Sequence, residues 1–124
     1  MKIEVSIGEI VDKLSILDIK RRKITNNDKL FNIENEYNYL HKIVFTDLNI
    51  NIRDYERLLI INEELWDIED QIRIKEKNKE FDEDFIQLAR LVYMTNDIRF
   101  EIKKVINLKY GSDFFEIKSY ESYT

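Results

Sequence analysis

Proline is absent from this chain, and glycine occurs at only two places, Gly8 and Gly111. A β-rich domain of 124 residues reverses direction many times, and its tight turns draw heavily on both residue types. Helices joined by short Asn- and Asp-bearing connections need neither in their interiors. The expected fold is therefore all-α: an antiparallel bundle of about four helices with a short C-terminal segment packed on it, forming one domain over 1–124.

The spacing of apolar residues supports this reading. Ser6 with Glu9 has the form of a capping box and opens a first helix at Ile7. Ile7, Ile10, Val11, Leu14 and Leu17 then share one face, and the helix is expected to run to about Ile24. Residues Thr25 to Asp28 form a turn and cap cluster. A second helix from near Asp28 carries Leu30, Ile33, Tyr37, Leu40 and Val44 at alternating steps of three and four. Asn49 or Asn51 suits the cap of a third helix, Ile52 to Lys77, with Leu58, Ile61, Leu65, Ile68 and Ile72 as its stripe. Asp82 caps a fourth, with Phe81 and Ile86 placed as a hydrophobic staple. Its apolar residues are Leu88, Leu91, Val92, Ile98, Ile102 and Val105, and Gly111 suits the left-handed position after its end. Residues 2–5 alternate and are read as extended. Ser112 is expected to cap a final segment to Tyr120 that folds back over the bundle, with Glu116 and Lys118 either reaching its polar groove or facing solvent.

Several function classes fall away on composition. The chain has no Cys and a single His, which removes disulfides, thiolate catalysis, cysteine-bound metals and multi-His zinc sites. A formal charge of −5 argues against a general nucleic-acid binder. No run of 18 apolar residues exists, and the N-terminal stretch lacks a basic start followed by a long apolar core, so neither a membrane span nor a signal peptide is expected. A cytoplasmic location follows as the expectation. Twenty Ile, eleven Asn and one Ala, Ala89, give the bias of a very AT-rich genome. Such helices form through packing more than propensity. No phosphate loop, nucleophile elbow or dinucleotide fingerprint is present.

Chemistry concentrates on the third and fourth helices. Asn62, Trp66, Glu69 and Arg73 lie four, three and four apart and share a face, with Asp70 one turn after Trp66. Arg90, Tyr93 and Asp97 make a similar row, extended by Glu101, with Asn96 and Arg99 beside it. In an antiparallel hairpin the two rows can meet along one groove. One reading is a polar network in which Arg73 pairs with Glu69 or Asp70. Another is a ligand site: Arg73, Arg90 and Arg99 for an anionic group, oriented by Glu69, Asp70, Asn96 and Asp97, with Trp66 and Tyr93 for stacking. A metal reading is also open. Glu63, Glu64 and Asp67, with Asp97 and Glu101, loosely match the EExxE and ExxD motifs of all-α nucleotide pyrophosphohydrolases, which hold Mg²⁺ through carboxylates. Glu64, Asp67, Asp97 and Glu101 are its candidate ligands. The basic run Lys20-Arg21-Arg22-Lys23 points in all directions on a helix and suits a helix C-terminus, with phosphate binding as the alternative. His41 has no catalytic pattern around it and is read as a surface residue.

The chain resembles an uncharacterised family of small bacterial and phage proteins. The resemblance spans nearly the whole chain. It rests on Val5-Ser6, Gly8-Glu9, Asp12-Lys13 and Ile16-Leu17; on Asn62, Leu65-Trp66, Ile68-Glu69-Asp70, Ile72-Arg73 and Glu76; and on Leu88-Ala89-Arg90, Val92-Tyr93, Asn96-Asp97, Arg99, Gly111-Ser112, Glu116, Lys118 and Tyr120. It transfers no activity. Similar proteins occur near or joined to surface-polysaccharide and glycosyltransferase-type genes, which implies a sugar- or nucleotide-related ligand or a glycosyltransferase partner.

The leading expectation is a non-catalytic module binding a small anionic ligand or a protein partner, with no cofactor, nucleic acid or membrane involved. The alternatives are the Mg-dependent phosphohydrolase and a structural homo-oligomer supported by seven Tyr and seven Phe.

Overall fold

The computed structural model describes residues 2–114, and four α-helices account for most of them. They are α1 (Ile7–Lys23), α2 (Asn27–Lys42), α3 (Ile52–Lys77) and α4 (Glu83–Lys109). They pack as an all-α bundle in which α3 and α4 form an antiparallel hairpin, α1 lies against both, and α2 covers α1. No strand occurs among the described residues, and 2–5 carry no regular structure.

Each helix begins on the cap its sequence supplies. The side chains of Ser6, Asn26, Asn51 and Asp82 accept from the backbone N–H of Glu9, Lys29, Arg53 and Phe85. Phe81 packs edge-on against Phe85, ring centres 5.3 Å apart. After α4, Gly111 takes φ +67° and the Ser112 N–H returns to the Asn107 carbonyl at 2.8 Å. That 6→1 bond is a Schellman closure, which needs the left-handed residue that glycine supplies without strain.

Two local expectations are corrected. The second helix does not continue α-helically through Val44. It ends at Lys42 and passes into a π-helical turn, Ile43–Asp47, in which the Leu48 N–H bonds the Ile43 carbonyl five residues back. The wider turn brings Val44 fully into the core and sets Phe45 edge-on to Tyr55 at 5.3 Å. Ser112 caps no following helix within the described residues. Its hydroxyl accepts from the Ile7 N–H at 3.0 Å and donates to the Phe114 carbonyl at 2.9 Å, tying the end of α4 to the start of α1. The rest of the C-terminal segment, with Glu116, Lys118 and Tyr120, lies outside the described residues.

The core is small and sits at one end of the hairpin: Val11, Leu14, Val44, Ile50, Tyr55, Leu58, Ile61 and Ile106. No residue of α2 is buried. That helix is held by half-buried Tyr37 and Leu40, by Arg21 stacked 4.1 Å over the Tyr37 ring, and by the pairs Arg21–Glu34 and Lys13–Glu36. No residue between 66 and 94 is buried either. The distal half of the α3–α4 hairpin is thus a two-helix arm, joined by a half-buried seam of Ile68, Ile72, Phe85, Leu88 and Val92.

Candidate functional site

Where α1, α3 and α4 meet, the interior is polar. Asp12 on α1 is 3% exposed, and Arg99 on α4 closes on both of its oxygens, Nε to Oδ1 at 2.9 Å and Nη2 to Oδ2. Asn62 on α3 donates to the same Oδ1 at 2.9 Å and to the Ser15 hydroxyl at 2.7 Å. Ser15 in turn donates to the Asp12 carbonyl. One turn toward the start of α1, Lys103 reaches Glu9 at 2.5 Å. One turn further along α4, the Asn107 side-chain oxygen takes the Gly8 N–H at 2.7 Å. Among the described residues no buried side-chain N or O lacks a partner. A satisfied network of this kind fixes the register of three helices, and its closed geometry suits structure more than exchange with solvent.

Gly8 permits this approach. A Cβ there would stand 2.8 Å from the Lys103 carbonyl and 3.0 Å from Asn107 Oδ1. The face Gly8-Asp12-Ser15 therefore lays α1 directly on the polar side of α4.

The sequence-derived residues divide between this network and the arm. Asn62 and Arg99 come together on Asp12. Trp66, Asn96 and Asp97 are half-buried. Glu69, Asp70, Arg73, Arg90 and Tyr93 are exposed, and none of the four charged ones forms an ion pair among the described residues. The expected Arg73 pair with Glu69 or Asp70 is therefore not made; the buried network runs through Asp12 and Ser15 instead. Nine helical steps separate Arg90 from Arg99, which puts them on opposite sides of α4, so Arg73, Arg90 and Arg99 do not converge.

The candidate metal ligands are likewise dispersed. Glu64 is exposed, Asp67 lies 3.9 Å from Lys23, and no group of three His, Cys, Asp or Glu among the described residues is arranged to hold an ion. The basic run at the end of α1 spreads over separate partners: Arg21 to Glu34, Arg22 to Asp18 and Glu63, Lys23 to Asp67. His41 is exposed, between the rings of Tyr37 and Phe45.

A second polar knot closes the base of the bundle. Asp54 accepts from Lys109 at 2.8 Å and from the Tyr110 hydroxyl at 2.6 Å, while that hydroxyl accepts from the Asn51 N–H. Burial disfavours the Asp54 charge, but the hydrogen bonds from Lys109 and Tyr110 and the charges of Lys109 and Arg57 outweigh it. They hold the carboxyl below its ordinary value. Burial, then the bond to Asp18 at 2.6 Å, pushes the Tyr55 hydroxyl well above the ordinary tyrosine value.

The feature that sequence spacing misassigned is the outer face of α4. Leu91, Ile98 and Val105 were expected in the core. They are 42%, 52% and 49% exposed, and Met94 and Leu108 lie out with them, whereas Thr95, Lys103 and Asn107 on the opposite side are buried. These polar residues are buried beside Ile106 because α1 presents Asp12 and Glu9, which take donors from Arg99 and Lys103 of α4. Leu91, Met94, Ile98, Glu101, Val105 and Leu108 follow steps of three, four, three, four and three, the a/d seam of a coiled coil. That 3-4 alternation was visible in the sequence, but nothing in one chain said which of two stripes faces inward. Beside the seam runs a groove of about 480 Å³, floored by Met94, Ile98, Ile102 and Val105 and edged by Asp54, Asp97, Glu101 and Arg57.

Residues 1–124 match a family of unknown function, DUF6165. No curated protein and no solved structure matches the chain. Among the described residues no helix is long and apolar enough to cross a membrane.

Proposed function

The chain belongs to the DUF6165 family across its whole length, and on the geometry above we propose that it is a non-catalytic binding module whose ligand is a helix of a protein. One observation carries this reading: α4 turns the apolar row Leu91, Met94, Ile98, Val105 and Leu108 to solvent while Thr95, Lys103 and Asn107 are buried. A helix arranged this way leaves an unpaid transfer free energy on the surface that only another apolar surface recovers. A groove with an apolar floor and a mostly acidic edge accepts an amphipathic helix better than a small anion. The exposed and separated positions of Arg73 and Arg90 weigh the same way. The cytoplasm of a bacterium or phage host is the setting we assign it.

A labelled leucine–lysine amphipathic helix tests the groove. Fluorescence anisotropy is read below the concentration at which the chain associates with itself. The expected result is saturable binding that weakens at least tenfold in Met94→Lys, with the circular dichroism spectrum unchanged. Equal binding by both proteins, or none by the parent chain, overturns the reading.

A further inference from the structure

We propose that the occupant of the α4 seam is a second copy of this chain, with the two α4 helices antiparallel about a two-fold axis. This rests on the groove reading above and names its partner.

The seam covers 17 helical steps, roughly 25 Å at 1.5 Å per residue. Its five apolar residues are each between 42% and 65% exposed. Side chains of that size, about half exposed, offer on the order of 500 Å², against about 800 Å² per partner in a standard interface. Arg57 and Asp97, which line the same groove, and the exposed Lys104 of α4 supply flanking area.

The order of residues selects a self-partner. About an axis between positions 99 and 100, antiparallel a/d layering sets Leu91 against Leu108, Met94 against Val105, and Ile98 against Glu101, each layer occurring twice. Every layer but the central two is wholly apolar. In the central layers Glu101 meets Ile98 of the second copy, with Arg57 lining the same groove beside it. Outside the seam, Asp97 lies two residues, about 3 Å along the helix, from the level of Lys104 of the second copy, within reach of its long side chain, so two pairs of opposite charge flank the axis. A parallel pairing of the same helices fails on charge. It would oppose Glu101 to Glu101 inside the seam and Lys104 to Lys109 beside it, and like charges held together without water are strongly unfavourable.

The chain contains no cysteine, so introduced cysteines report register cleanly. Sedimentation equilibrium over a concentration series is expected to show a monomer–dimer equilibrium that Met94→Lys weakens at least tenfold. Mixing Met94→Cys with Val105→Cys protein under mild oxidation is expected to give the mixed disulfide in excess of either homodimer. A dominant Met94→Cys homodimer instead means parallel helices and overturns the arrangement. A chain monomeric throughout the series that still binds the leucine–lysine helix overturns the self-partner and leaves the groove reading standing. A monomer that binds neither overturns both.

Discussion

Arg99 on α4 closes in bidentate fashion on Asp12 of α1, a carboxylate only 3% exposed, and Asn62 of α3 donates to the same oxygen that Arg99 Nε reaches. Three helices are fixed at one anion. The arginine fork and the carboxylate match in geometry, so the pair sets rotation as well as separation of α1 and α4.

Asp12→Ala is expected to lower unfolding free energy by about 3–5 kcal/mol, because it strands a partly buried guanidinium and an amide that had been satisfied. Asn62→Ala removes one donor and leaves the ion pair, so about 1–3 kcal/mol is expected. Urea denaturation of both variants and of the double variant checks this. If the network acts as a unit, the double variant costs less than the two single losses added.

Gly8→Ala tests the close approach of α1 to α4. A methyl group at 2.8 Å from the Lys103 carbonyl meets backbone, which cannot swing away. About 1–3 kcal/mol of overpacking is expected. It should exceed the gain in helix propensity, at most about 1 kcal/mol. Gly111→Ala meets nothing within 4 Å but sits at φ +67°, so its cost is conformational, about 1–2 kcal/mol. Thermal unfolding in the two variants separates the causes: a Gly8 loss that is partly recovered by Asn107→Ala, and a Gly111 loss that is not.

The helices were legible because their information is local. Ser6, Asn51 and Asp82 cap them, Gly111 ends the last one, and periodicity marks a long third helix over about 52–77. What was not legible is rotation about the helix axis. Along α4, Leu91-Ile98-Val105 and Thr95-Arg99-Lys103 are both regular rows, and hydrophobicity favours burying the first. The choice is made by Asp12 and Glu9, about ninety residues away in sequence, and a pairwise tertiary contact of that range leaves no mark on the spacing of either helix. Asp12 itself carried a local sign, since Gly8, Asp12 and Ser15 form a small and polar row on an otherwise apolar helix. The candidate row Asn62, Trp66, Glu69, Arg73 grades outward along α3. Its first member is buried against Asp12 and Ser15 of α1, and its last two are in water.

Arg73→Ala and Arg90→Ala are accordingly expected to leave stability within about 0.5 kcal/mol of the parent, since neither side chain forms an ion pair among the described residues. A loss above about 1 kcal/mol in chemical denaturation would mean that the arm's charges do structural work after all.

Stability should depend on acid through Asp54. Its carboxyl is held below the ordinary 3.8, so the folded chain releases that proton more readily than the unfolded one. The contribution is complete above the ordinary value and is lost as pH falls through the lower folded value. Melting temperatures of the parent and Asp54→Asn should therefore differ at pH 6 and converge toward about pH 2. A gap that stays constant across this range would show that hydrogen-bond geometry, rather than ionisation, is what Asp54 contributes.

The arm gives the last prediction. Between 66 and 94 no side chain is buried, while Tyr55, Leu58, Ile61 and Leu65 on α3 and Ile106 on α4 anchor the same two helices in the core. Amide exchange reports opening free energy, and segments with few buried contacts open without the whole chain unfolding. Amides from Glu69 to Arg90 are expected to exchange through such local opening, faster than those of 55–65 and 99–107. Concentration then divides α4. Self-association through the seam covers residues from Leu91 onward and slows their exchange as protein concentration rises, but it leaves 69–90 untouched because those residues lie beyond the seam. Exchange of the arm at the global rate would show that the α3–α4 hairpin is rigid to its tip. Slowing of 69–90 together with 91–108 would show that the second copy covers the arm as well as the seam.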